Sequence, residues 1–162
     1  MKKLFPIFLF CFVVSCGGVE FVYKNEKSLV NPLYPKTKVI TSGTNLSFMN
    51  SYLPMYFGET NEYTYNLQIN VNEKKTKRSV ETNQATSNLR YELRFNYTLT
   101  SIKKDCITYK KEIISYFSII PKSAGYNYGT DTSLEKKYEL AVSDNLNQFV
   151  STLSDINLDN CK

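Results

Sequence analysis

Histidine and tryptophan are both absent from this chain of 162 residues. Without histidine there can be no Ser-His-Asp or Cys-His triad, no HExxH zinc site and no imidazole general base. The phosphate-cradling GxxxxGK(S/T) loop, the GxGxxG turn and the GxSxG elbow are missing as well, so nucleotide and hydrolase chemistry lose their usual support. No cofactor and no metal site is expected. Catalysis by carboxylates or lysine alone stays open. Carboxylate catalysis would require two acids converging in a cleft, and Glu59, Glu62, Asp131 and Glu135 fall in loops or at helix starts, where solvation and capping account for them.

The apolar run at residues 4–14 is too short for a bilayer-spanning helix of about 20 residues, and it follows the cations Lys2 and Lys3. It reads as a signal peptide over residues 1–15. The run ends in Val13-Val14-Ser15-Cys16, which resembles a bacterial lipoprotein processing site with Cys16 as the lipidated residue. Gly17 stands where an inner-membrane retention signal is usually Asp, so an outer-membrane anchor on the periplasmic side is expected. An ordinary secretory signal with an incidental Cys16 is the alternative. Removal of Lys2 and Lys3 brings the 20 basic residues down to 18, against 15 acidic ones. That mild excess is no nucleic-acid footprint, and export argues against such a partner. Cys11 leaves with the signal and Cys16 takes the lipid. Cys106 and Cys161 then remain for an oxidising compartment, where a disulfide is the economical reading and two separate thiols the alternative.

Residues 16–36 show no sustained periodicity and read as a lipidated N-terminus and tether; residues 37–162 form the domain. The β-branched run at 37–41 predicts a strand. Leu46, Met49, Leu53 and Tyr56 or Phe57 then recur at helical spacing, predicting a helix over 45–57 that Thr44 or Asn45 caps and Pro54 kinks or stops. Residues 63–71 and 89–99 alternate apolar with polar, the pattern of strands with one buried face. Between them, residues 73–88 read as a long polar loop carrying Lys74, Lys75, Lys77 and Arg78. A third strand follows over 107–120, apolar on both faces at its far end. After a loop at 121–131, Thr132 and Glu135 make a capping-box signature. The stripe Leu134, Tyr138, Val142, Leu146, Phe149, Leu153 and Ile156 predicts one long amphipathic helix.

The order β-α-β-β-β-α makes an α+β, two-layer sandwich: a mostly antiparallel four-stranded sheet with two helices on one face. The lipoprotein site, the Pro32-Leu33-Tyr34 triplet, the two alternating strands and the Gly125-Tyr126-Asn127-Tyr128 loop before the capped helix together resemble the LptE family of lipopolysaccharide-assembly lipoproteins. That resemblance spans essentially the whole chain after the signal. It implies a non-enzymatic role, in which the protein plugs and helps assemble an LptD-like β-barrel and takes part in lipopolysaccharide delivery. It further implies contact with lipopolysaccharide through basic loop residues. Lys74, Lys75, Lys77 and Arg78 are the candidates by loop position, with Lys136 and Lys137 beside the loop before the last helix. Tyr126 and Tyr128 are candidate interface anchors, core packing being the competing role. A stand-alone periplasmic protein binding a lipid or other ligand is the alternative, and it would show a closed apolar pocket beneath the helices.

Overall fold

Backbone ladders between two long strands organise the protein. The computed structural model describes residues 31–80, 86–119, 130–158 and 160–161. In chain order the elements are β1 (Thr37–Gly43), α1 (Leu46–Asn50), α2 (Leu53–Phe57), β2 (Tyr65–Val80), β3 (Thr86–Ser101), β4 (Cys106–Ile119) and α3 (Thr130–Leu153). They form one sheet of order β1-β2-β3-β4, in which β1 runs parallel to β2 and the other neighbours are antiparallel. The helices share one face, so the α+β two-layer arrangement expected from the sequence is the fold.

The alternating residues of β2 and β3 face the helices as expected. Leu67, Ile69, Val71, Leu93, Phe95, Tyr97 and Leu99 are all buried. Helix α3 lays Tyr138, Val142, Leu146, Phe149 and Leu153 onto them, and the Phe149 ring stacks on Tyr97 at a centroid distance of 4.0 Å. Each such side chain contributes roughly 1.5–3 kcal/mol of transfer free energy on burial. Leu134 and Ile156, at the two ends of the stripe, are half-buried against the same core.

Four expectations need correction. First, residues 73–80 and 86–88 are strand and not part of a long polar loop. β2 and β3 stay paired from Tyr65↔Ser101 as far as Val80↔Thr86. The pairing is made by backbone groups and needs no apolar face. Lys74↔Glu92 and Lys75↔Tyr91 are favourable cross-strand neighbours in this stretch. Second, the helix over 45–57 does break near Pro54, but into two short helices, with the break just before the proline. Pro54 would clash with the carbonyl four residues back, at Asn50, where α1 ends; it is accepted within the first turn of α2. Third, α3 begins at Thr130, so Thr132 lies inside its first turn rather than at the cap. Fourth, residues 31–36 belong to the folded domain and not to the tether. Leu33 is fully buried, and Asn31 donates from its side-chain amide to the Tyr56 carbonyl at 2.6 Å.

The far end of β4 is apolar on both faces, and the two faces differ in fate. Ile113 is buried, and Phe117 and Ile119 pack half-buried against the core. Tyr116, on the opposite face, is half exposed. At the other end of the sheet Cys161 returns to Cys106 and the two form a disulfide with Cα atoms 5.8 Å apart, within the usual range for such a bridge.

Candidate functional site

Strand alternation splits the basic cluster that the sequence groups together. Glu73 points to the helix side, where its carboxylate accepts from the Tyr138 hydroxyl at 2.6 Å. Strict period-two alternation then sends Lys75 and Lys77 to the helix side and Lys74 to the outer face. The Lys75 ammonium accordingly sits 5.2 Å from the centroid of the Tyr91 ring, within cation–π reach. Arg78 lies in β2, paired with Asn88. The four cations are therefore a stretch of strand and not part of a loop.

Lys136 and Lys137 lie in the second turn of α3. Lys136 is exposed, whereas Lys137 donates to the Ser118 carbonyl of β4 at 2.8 Å and so helps fix the helix to the sheet. Tyr126, Tyr128 and Cys16 lie outside the described residues.

The outer face of the sheet carries functional candidates that the sequence reading missed. In the sequence Arg90 and Arg94 belong to the polar half of an alternating strand. The available signal was their spacing, two arginines on one face of a strand with Glu92 between them. Arg94 bonds Glu92 at 3.0 Å and lies 3.8 Å from Glu112. The hydrogen bond to Glu92, followed by the charge of Glu112, raises its guanidinium pKa above the usual value. At an exposed site this pairing orients the side chain more than it stabilises the fold. The Arg90 guanidinium lies 4.4 Å from the Tyr116 ring centroid. Asn72, Glu73, Lys74, Glu92 and Arg94 line an open groove of about 290 Å³ at this face. Lys38 and Lys110 extend the positive field along the same face, and among the described residues no helix covers it.

Among the described residues, Tyr97, Phe149, Leu146 and Leu99 fill the space beneath α3, and two grooves on this side open at the rim. Burial pushes the phenol pKa of Tyr97 far above its ordinary value. Tyr138 is raised similarly, first by desolvation and then by its hydrogen bond to Glu73. Among the described residues, no group of three or more cysteines or carboxylates is placed to hold a metal ion, and no helix is long and apolar enough to cross a membrane.

No family model matches the chain, and no curated protein matches its sequence. Solved structures do match its fold. A candidate lipoprotein from Caulobacter crescentus superposes with a TM-score of 0.58 at 15% identity, covering 74% of this chain and 88% of the other. A minor lipoprotein from Acinetobacter baumannii gives 0.55 at 14% identity, covering 76% and 93%. An uncharacterized lipoprotein B from Nitrosomonas europaea gives 0.50 at 13% identity, covering 75% and 87%. The fold of this chain is thus one found among bacterial lipoproteins.

Proposed function

We propose that this chain is a lipid-anchored protein of the outer membrane, on its periplasmic side, that plugs and helps assemble an LptD-like β-barrel. In this reading it takes part in lipopolysaccharide delivery to the outer leaflet and catalyses no reaction itself. The observation that carries the proposal is the uncovered sheet face. It is polar, rich in cations and studded with Tyr116, a composition that suits a wet protein interface better than a catalytic cleft. The lipoprotein-type site at Cys16 and a fold found among bacterial lipoproteins support the same reading. In the outer groove Lys74 offers an ammonium, and Arg94 a guanidinium that can grip lipid A phosphate bidentately once it exchanges Glu92 for that phosphate. The packed space beneath α3 speaks against a stand-alone carrier, which would need room there for its cargo.

The test is purification of the full chain from detergent-solubilised envelope, with identification of what accompanies it. A β-barrel of the LptD type in stoichiometric amount is the expected result, and depletion of the chain should lower both assembled barrel and surface lipopolysaccharide. Normal barrel and lipopolysaccharide levels after depletion would overturn the proposal.

A further inference from the structure

The helix side of the sheet has an open groove of about 400 Å³ at its rim, between the start of α1, the middle of β2 and the second turn of α3. Its chemistry is unlike that of the outer face. Two carboxylates line it, Glu73 and Glu135, with aromatic walls from Phe48, Tyr91 and Tyr138. Phe48 stacks on Tyr138 at 5.1 Å, and Tyr138 meets Tyr91 edge-on at 5.7 Å, so the walls hold one another in place. Glu73 is fixed just as firmly. Its Oε2 accepts from the Tyr138 hydroxyl and from the side-chain amide of Asn45, while its Oε1 has no partner among the described residues. The left-handed backbone of Asn45 (φ 55°) helps present that amide to Glu73, and no side-chain cap is made to α1.

We propose that this groove is a binding site for a guanidinium group, the side chain of an arginine presented by a partner protein. A fixed carboxylate with one free oxygen, a second carboxylate across the groove and a ring face suit a planar cation that can stack and donate in a fork. Lys75 is the internal stand-in, because its ammonium already hangs over the Tyr91 ring. It is exposed on a flexible stem and holds no ion pair among the described residues, so an arriving guanidinium can displace it. A phosphate or carboxylate would meet the repulsion of Glu73 and Glu135. The site is independent of the proposed function, and it gives Lys75 the role of a competitor, the opposite of a ligand for an anion.

The experiment is a titration of the isotopically labelled full chain in detergent micelles, followed by amide NMR. The probe is N-acetyl-arginine-methylamide, with the lysine analogue and methyl phosphate as comparisons at constant ionic strength. Saturable shifts confined to the groove are expected with the arginine probe. Glu73→Gln should weaken its binding about tenfold or more, the size of a lost charge-assisted hydrogen bond. Lys75→Ala should strengthen it a few-fold by removing the resident cation. Glu135→Gln, at an exposed helix position, should weaken it in a normally folded protein even if Glu73→Gln proves unstable. Absence of saturation, equal affinity for the lysine probe, or unchanged affinity in Glu135→Gln overturns the proposal. So does binding of methyl phosphate that is lost in Lys75→Ala.

Discussion

The Tyr97 hydroxyl donates to Oδ1 of Asn145 at 2.7 Å, and the Asn145 amide donates in turn to Ser115 Oγ at 2.8 Å and to the Ile113 carbonyl at 3.4 Å. Asn145 is buried on the face of α3 that otherwise carries only apolar side chains. It joins the helix to β3 and β4 at a single height along its axis. A buried polar group of this kind is tolerable only when its partners are all present, and here they are.

Asn145→Leu should therefore destabilise by about 2–3 kcal/mol despite adding apolar surface, because the Tyr97 hydroxyl is left buried without a partner. Adding Tyr97→Phe to that variant should restore part of the loss. Denaturant unfolding of the three proteins checks this, and the sign of the coupling in the double-mutant cycle is the decisive quantity.

Alkaline pH supplies a second test. An unfolded tyrosine titrates near 10, and burial raises Tyr97 well above that. The folded state then holds the proton more tightly than the unfolded state does. The stabilisation is complete below about pH 10 and is lost progressively as pH rises above it. Tyr138 contributes in the same direction. The unfolding midpoint should fall between about pH 10 and 11.5, and Tyr97→Phe should flatten that fall.

The Cys106–Cys161 bridge closes a loop of 55 residues. On a chain-entropy account, a loop of that size stabilises by about 4 kcal/mol. Replacing both cysteines with serine should lower the melting temperature by several degrees. Reductant should shift the wild-type protein toward the variant and leave the variant unmoved.

Charge reversal distinguishes the two faces of β2. Lys74→Glu together with Arg94→Glu on the outer face should weaken lipopolysaccharide binding, and the difference from wild type should shrink as salt rises. Lys77→Glu, on the helix side, should change it much less. Equal losses from both faces, or none from the outer one, would refute the assignment of phosphate contact to this surface. Circular dichroism should be normal in all of these variants, since exposed charges contribute little to stability.

Much of the architecture was legible because it rests on burial. Leu67, Ile69 and Val71 alternate, Tyr138 through Leu153 recur at helical spacing, and those periods are the ones that the core imposes. Where structure is held by backbone pairing alone, the reading failed. The arm of β2 from Lys74 to Lys77 is exposed and faces too little core to impose an apolar period, so its residues look like a loop. Leu33 was lost in the tether because a single buried residue has no period. The basic candidates were visible as residues but not as a surface. Whether Lys74 and Lys75 share a side depends on whether the chain between them is extended, and only the ladder answers that. Asn145 had no signal at all, since a polar residue on an apolar stripe looks like an interruption until its partners are seen.

The disulfide and the Lys137 bond hold the ends of α3 by very different means. Cys161 secures the C-terminal end covalently through a short tail, next to the β3–β4 turn, whereas the contacts of the first turns among the described residues are non-covalent: the Lys137 ammonium–carbonyl bond, the Tyr138–Glu73 pair and the packing of Tyr138 against Phe48 and Phe117. Local opening of the helix should accordingly be polar, peeling from its first turns toward Asn145 and halting there. Amide hydrogen exchange would register this as a gradient of protection rising from residue 134 to residue 150. Reduction of the bridge would level that gradient, because the helix could then detach from either end.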